Sequence, residues 1–296
     1  MRTNESADIS LVIPAFNEEA AIGRTLEEVD AVLSAHPLRW EIVVVDDGSR
    51  DRTAEEARAR GARVVTHRRN RGYGAALKSG VLAATGAIVV FYDADNQFDP
   101  NDIPRMVGEL ADHDATLGAR TSSSYAPFSR RGGKKMLGWL ANYLARTKIP
   151  DLNCGLRAVR RELLLDYLHL LPNGFSASTT TTLVLLKEGH DVKFVTVTVK
   201  KRIGKSTVRP IKDGVDTALL IVRLTTLLDP FRVFGPVSGV FFLFGLMWGV
   251  HYIRLGRGLS IGAMFLLVSS VIIFFFGLLA DQVASMRRER RYSDRS

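Results

Sequence analysis

The chain has 296 residues, 46% of them hydrophobic and 24% charged, enough apolar material for a packed core and too much for a disordered polypeptide. Against 31 aspartates and glutamates stand 40 lysines and arginines, a formal net charge of +9 that suits phosphorylated ligands, anionic lipid or nucleic acid without choosing among them. The single cysteine, Cys154, excludes an intramolecular disulfide and fits a reducing compartment; no motif sets a histidine beside it, so it reads as a small packed residue and not as a nucleophile.

The N-terminal residues Met1 to Glu5 run straight into an apolar segment too short for a signal sequence, so the first domain is expected in the cytoplasm. Segments 9–14 (ISLVIP) and 41–45 (EIVVV) read as buried parallel strands, and between them Ile22, Leu26, Val29 and Leu33 recur at helical spacing. The alternation continues with a helix over 51–60 closed by Gly61, a strand over 63–66, a helix over 74–84 closed by Gly86, and a strand over 87–92. Such a series predicts an α/β fold with a mainly parallel, doubly wound, Rossmann-like sheet whose ligands bind beyond the carboxyl ends of its strands.

After residue 100 the pattern becomes mixed: a helix over 101–112, a strand over 115–119, a polar stretch 121–129 and an amphipathic helix over 134–147. A late strand is expected over 191–199, then a basic loop 200–209 and a helix from Pro210 on which Ile211, Val215, Leu219, Val222 and Thr226 share one side. That helix either lies at a membrane surface or packs on the soluble domain. Segments 233–252 and 259–280 contain no Lys, Arg, Asp or Glu, and each is long enough to cross a hydrocarbon core of about 30 Å. Arg254 and Arg257 flank the connecting loop, but the tail carries Arg287, Arg288, Arg290, Arg291 and Arg295, so the positive-inside rule expects both termini in the cytoplasm. The division is therefore a catalytic domain 1–209, an interfacial helix 210–230, a two-helix transmembrane hairpin 231–286 and a basic tail 287–296.

The strongest chemical signal is Asp93-Ala94-Asp95 with Gln97 two residues on, directly after an apolar strand. In extended chain residues i and i+2 share a side, so both carboxylates, with the amide oxygen, are placed to converge on one ligand. Hard oxygen donors suit Mg²⁺ or Mn²⁺, and such a cation bridges phosphate oxygens. The alternative is turn and capping chemistry ahead of Pro100. Asp46-Asp47 closes the second strand and Asn17-Glu18 follows the first; these acids are positioned to reach a ribose or a base edge, with Pro14 and Phe16 shaping the base pocket, unless Asn17 and Ser49 merely cap helices. Neither the Walker lysine motif nor the dinucleotide glycine fingerprint follows the first strand, which speaks against nucleoside triphosphate hydrolysis and a nicotinamide enzyme. Arg71-Gly72-Tyr73-Gly74 is a weaker loop-to-helix signal.

Taken together VIPAFNEE (12–19), VVVDDGSRDRT (43–53), NRGYGAAL (70–77), YDADNQFDP (92–100), GAR (118–120) and DLNCGLRAVRREL (151–163) resemble the family 2 glycosyltransferases of GT-A fold, nearest the polyprenyl-phosphate and dolichyl-phosphate mannose synthase type with a two-helix anchor. The resemblance covers essentially the whole chain. It implies that Pro14, Phe16, Glu18, Val45 and Asp47 hold the nucleoside, that Asp93, Ala94 and Asp95 contact the nucleotide sugar, and that Asp93, Asp95 and Gln97 hold Mg²⁺ or Mn²⁺. It also implies that Arg120, Lys134, Arg202 and Lys205 lie near the acceptor phosphate, with Asp93, Asp95, Arg120 and Arg202 the catalytic set. Lys134 read by itself is equally a solvated helix position.

Three functions compete: a polyprenyl-phosphate glycosyltransferase moving mannose or glucose with inversion from a nucleotide diphosphate; a synthase that glycosylates a sugar or lipid hydroxyl; and a non-catalytic membrane adaptor binding anionic lipid. The metal acids weigh against the adaptor. A hydroxyl acceptor calls for a general base, and the segment 174–182 (GFSASTTTT) contains no acid; Asp151 is left as a base or a loop cap. Expected partners are a nucleotide sugar, polyprenyl phosphate and membrane lipid, and not nucleic acid.

Overall fold

The computed structural model describes residues 7–120, 138, 141–143, 147–174, 176–200 and 210–293. Strands β1 (Ile9–Ala15), β2 (Trp40–Asp46), β3 (Arg63–Thr66), β4 (Ile88–Phe91), β5 (Ala115–Arg120), β6 (Arg157–Arg160) and β7 (Val192–Val197) form one seven-stranded sheet in the order β3-β2-β1-β4-β6-β5-β7. Every pairing is parallel except those of β6, which runs antiparallel to both β4 and β5. All seven residues of β1 are buried, because its central place covers both faces; this is why it reads as an unbroken apolar run.

The helices follow in chain order: α1 (Glu19–Ser34), α2 (Thr53–Ala59), α3 (Tyr73–Ala83), α4 (Asp102–Gly108), α5 (Arg161–Tyr167), α6 (Ala177–Lys187), α7 (Pro210–Leu228), α8 (Phe231–Arg254) and α9 (Ile261–Ser293). The expected stripe Ile22, Leu26, Val29 and Leu33 is the buried side of α1 and joins the core with Ile9, Leu11, Ile13 and Val44. The helix expected over 101–112 is α4 followed by a 3-10 turn at Glu109–Ala111. Strand β6 and helices α5 and α6 are absent from the sequence reading, and most of the expected helix over 134–147 falls outside the described residues.

The chain divides into two compact units, Met1–Ala218 and Leu219–Ser296. In the second, α8 and the Ile261–Met286 part of α9 span 24 and 26 residues, about 36 and 39 Å at a rise of about 1.5 Å per residue. Only 17% of each apolar window is buried, so neither is a soluble core helix: Phe244, Phe265 and Ile272 point outward, each more than half exposed. The two pack on each other through small residues, with Gly245 against Leu266 and Leu267, Gly277 against Phe234, and Ser238 Oγ donating to Ser270 O at 2.9 Å.

Candidate active site

Register places Pro14 opposite Val45 and Ala15 opposite Asp46 at the carboxyl ends of β1 and β2, with Asp46 and Asp47 both buried and Phe16 and Glu18 half-buried beyond them. The two loops that leave these strands are strapped together. Asn17, at φ 54°, donates its N–H to Ser49 Oγ and accepts from Arg50 N through Oδ1, both at 2.9 Å. Glu18 N donates to Thr53 Oγ1 at 2.9 Å and Glu19 N to Asp51 Oδ2 at 3.2 Å. Asn17 and Ser49 therefore do not cap helices; the N-cap positions of α1 and α2 are Glu18 and Arg52, neither with a side-chain cap, and the polar side chains bridge between loops instead.

Asp47 organises a third loop. Its Oδ1 lies 2.6 Å from His67 Nδ1 and accepts from Arg71 N at 2.9 Å, while Oδ2 accepts from Gly72 N at 2.7 Å; His67 Nε2 in turn meets Ser79 Oγ at 2.8 Å. His67 is a participant that motif reading missed, because a histidine between strand and loop carries no spacing signal of its own. The loop then enters α3, whose first free amides are already satisfied: Gly74 N and Ala75 N donate to Asn173 O at 2.8 and 3.2 Å. The loop-to-helix signal is thus a packing joint, not an open phosphate cradle. It is tight enough to require glycine, since a Cβ at Gly74 would lie 2.1 Å from Pro172 O.

The Asp93–Gln97 segment differs from its extended-chain reading. Strand β4 ends at Phe91, Ala94 and Asp95 lie in a turn, and Asn96 takes φ 55°. The strict i, i+2 geometry therefore does not relate the two carboxylates. Part of the turn alternative is present, as Asp95 Oδ1 accepts from Gln97 N at 3.3 Å, but the N-cap position of α4, Asn101, makes no side-chain cap, and it is Asp99 that accepts from Asn101 N. Ala94 is buried, and its carbonyl accepts from Thr25 Oγ1 at 3.0 Å. Asp93 Oδ1 accepts from the Tyr73 hydroxyl at 3.0 Å. Burial, and after it the charge of Asp93, push the Tyr73 phenol well above its ordinary value, so it stays a donor. Gln97 Nε2 donates to Lys200 O at 3.2 Å and Lys200 N to Gln97 O at 2.7 Å, tying this segment to the chain after β7.

At the end of β5, Arg120 grips Asp151 bidentately, Nε to Oδ2 at 2.6 Å and Nη2 to Oδ1 at 2.9 Å. Burial alone would lower the arginine's pKa and raise that of Asp151; the ion pair reverses both, so Arg120 is held above and Asp151 below its usual range. Asp151 also accepts from Asn153 N at 3.0 Å, which makes it a loop organiser. Beneath lies Arg157, 1% exposed, donating to Cys154 O, Ser178 O, Thr182 Oγ1 and Leu152 O. Cys154 is buried, and burial lifts its thiol to about 12. Of the expected acceptor-phosphate residues Arg120 is placed here, while Lys134, Arg202 and Lys205 lie outside the described residues.

Residues 10–168 match the model of glycosyl transferase family 2, and residues 229–286 match the GtrB C-terminal hairpin. The chain belongs to glycosyl transferase family 2. This glycosyltransferase is 32% identical over 220 residues to dolichyl-phosphate hexose transferase of Haloferax volcanii, a match that covers 73% of this chain and 93% of the relative. It is 37% identical to dodecaprenyl-phosphate galacturonate synthase of Rhizobium johnstonii, over 54% of this chain and half the length of that relative. An undecaprenyl-phosphate 4-deoxy-4-formamido-L-arabinose transferase of Klebsiella pneumoniae matches at 27% over 96% of this chain and 90% of its own. Among solved structures, glucosyl-3-phosphoglycerate synthase of Mycobacterium tuberculosis aligns with a TM-score of 0.56 and 26% identity over 74% of this chain and 78% of that one, in crystals holding Mn²⁺ and UDP or Mg²⁺ and UDP. The fold is accordingly GT-A, and a membrane hairpin follows it.

The residues present fit a divalent cation. Asp93 and Asp95 offer hard carboxylate oxygens, and the bare Cα of Gly155 leaves room for the Asp93 carboxylate that a Cβ would fill, 2.2 Å from Oδ2. Among the described residues no cluster of three or more acidic, histidine or cysteine side chains is assembled.

Proposed function

We propose that this glycosyltransferase moves a hexose, mannose or glucose, with inversion, from a nucleotide diphosphate to a polyprenyl phosphate at the cytoplasmic face of a membrane. The observation that carries this reading is the joining of a GT-A sheet, with Asp93 and Asp95 beyond β4, to a two-helix hairpin in one chain. Two further lines support it: the three relatives named above all carry a polyprenyl phosphate in their names, and one of them a hexose. Within unit Leu219–Ser296 an apolar groove of about 320 Å³, lined by Thr226, Leu227, Phe276, Leu279 and Val283, has the character an isoprenoid chain requires.

In this reading Pro14, Phe16, Glu18, Val45 and Asp47 hold the nucleoside, and Asp93, Asp95 and Gln97 would hold Mg²⁺ or Mn²⁺, Gln97 through its amide oxygen. A bound cation would offset the charge developing on the leaving diphosphate. Arg120 turns the guanidinium edge not used by Asp151 to the acceptor phosphate, joined by Lys134, Arg202 and Lys205, and these cations offset repulsion between two anionic substrates. Both termini and the tail 287–296 are cytoplasmic. Incubating membranes that contain the full chain with a panel of radiolabelled sugar nucleotides and polyprenyl phosphate, then extracting the lipid, tests the reading; label in lipid from GDP-mannose or UDP-glucose supports it, and label only from other donors rejects the mannose or glucose assignment.

A further inference from the structure

We propose that Tyr73 is a positioning residue for the Asp93 carboxylate, and that Gly155, braced by the buried Arg157, forms the opposite wall; the inference rests on Asp93 being a metal ligand. Tyr73 and Gly155 belong to the NRGYG and DLNCGLRAV stretches, and neither of these two residues had a chemical role on sequence grounds. In the structure they meet at one side chain. The Tyr73 hydroxyl donates to Asp93 Oδ1 at 3.0 Å. Across the carboxylate, an added Cβ at Gly155 would stand 2.2 Å from Oδ2, 2.8 Å from Cγ and 2.9 Å from Oδ1, so the glycine backbone lies flush against the group.

Both walls are fixed from behind. Tyr73 is the first residue of α3, whose next two amides are held by Asn173 O and whose preceding residue, Gly72, is held by Asp47 Oδ2. Gly155 sits in a turn that Arg157 pins by donating to Leu152 O at 3.2 Å and Cys154 O at 2.7 Å, while its other donors reach Ser178 O at 2.6 Å and Thr182 Oγ1 at 2.9 Å on α6. A fully buried guanidinium with carbonyls and one hydroxyl as its hydrogen-bond partners is costly to keep. Its place is explained by what it orders, namely the turn that confines Asp93. A hydrogen bond to one carboxylate oxygen and a backbone wall against the other fix the plane of the group, and partners of this kind typically change metal affinity 10–100-fold when removed.

The test uses the full chain in detergent, with Mn²⁺ binding followed by the electron paramagnetic resonance of free Mn²⁺ in the presence of UDP and of GDP, and the Mn²⁺ concentration for half-maximal transfer measured beside it. Tyr73→Phe is expected to raise both values about tenfold, with kcat at saturating Mn²⁺ within about threefold of wild type and nucleotide binding without metal unchanged. Gly155→Ala is expected to raise them further, with the thermal unfolding transition retained as the check on folding. If Asp93→Asn loses Mn²⁺ but Tyr73→Phe binds it as wild type does, the positioning role is overturned and the metal assignment stands. If Asp93→Asn binds Mn²⁺ as tightly as wild type, the metal assignment itself falls. Loss of kcat in Tyr73→Phe with an unchanged Mn²⁺ requirement would assign the phenol to another task.

Discussion

Arg120 and Asp151 lock into a bidentate pair, 2.6 and 2.9 Å, with 14% of the aspartate and 33% of the arginine side chain exposed. Because the pair holds the Asp151 pKa below its unfolded value, its contribution to stability is fully present above the ordinary carboxylate range near pH ~4 and is lost as pH falls through the depressed folded value. Asp151→Asn is expected to lower unfolding stability by about 1–3 kcal/mol at pH 7, since it leaves Arg120 without its charge partner. Denaturant titrations at pH 7 and pH 3 check this: the gap between wild type and variant should narrow at the lower pH, and an equal gap at both would contradict the linkage.

Asp95→Asn should remove most transfer activity, at least about 100-fold, because a neutral amide is a poorer partner for Mg²⁺ or Mn²⁺. Excess chelator should have the same effect on wild type, and readdition of either metal should restore it. Near-normal turnover of the variant, or of wild type in excess chelator, would overturn the metal assignment.

The joint between α3 and the 172–174 turn leaves no room for a side chain. Gly74→Ala would bring its Cβ to 2.1 Å from Pro172 O and 2.9 Å from Ala177 Cβ, contacts with backbone and packed helix that cannot rotate away. A loss of about 2–4 kcal/mol is expected, read as a lower Tm, whereas Gly61→Ala, whose added Cβ meets nothing within 4 Å, should cost only the strain of its φ of 79°.

Strands β1, β2 and β4 were legible because each is an apolar run, and β1 is followed by the helical stripe of α1, local patterns that match the tertiary arrangement. Strand β6 was not. It has four residues bounded by Arg157 and Arg160, and a buried arginine at its start reads as a loop until the carbonyls of Leu152, Cys154 and Ser178 are seen around it. Helix α6 was hidden by Thr179 to Thr182, a β-branched run that disfavours helix. Its hydroxyls turn back on the helix, Thr180, Thr181 and Thr182 donating to Ser176 O, Ala177 O and Ser178 O, which lets a polar stretch be buried. The candidate acids stood in the motifs, but their partners did not: Tyr73, Gly155 and His67 are joined to Asp93 and Asp47 by the fold alone.

Removal of the hairpin separates donor from acceptor handling. A chain ending before Phe231 should keep nucleotide affinity, since the strand-end residues from Pro14 to Asp95 belong to the Met1–Ala218 unit, and should lose use of long-chain polyprenyl phosphate. Isothermal titration with UDP and GDP, alongside transfer assays with long and short prenyl acceptors, separates the two effects. A cooperatively unfolding truncation that no longer binds nucleotide would show that the units do not divide the work in this way.

The acceptor itself sets the final expectation, which is inversion in one displacement without a general base. A phosphate monoester has its second pKa near ~6, so at neutral pH the attacking oxygen is already largely deprotonated, whereas a sugar hydroxyl would need a base to remove its proton. The residues between 176 and 182, which form the start of α6, are neutral, and their described threonine hydroxyls are taken up by Asn153 and by helix carbonyls. Asp151 is the alternative base, but its bidentate bond to Arg120 lowers its basicity, whereas proton abstraction from a hydroxyl calls for a carboxylate whose pKa is raised. An α-linked sugar nucleotide should therefore give a β-linked lipid phosphate, which the anomeric coupling in the NMR spectrum of the product reads directly. The profile of kcat against pH should fall below about pH 6 as the acceptor protonates, and Asp151→Asn should leave that limb in place while lowering the rate at every pH. An α-linked product, or activity in Asp151→Asn that returns only at high pH, would mean that the site carries a base or a covalent intermediate after all.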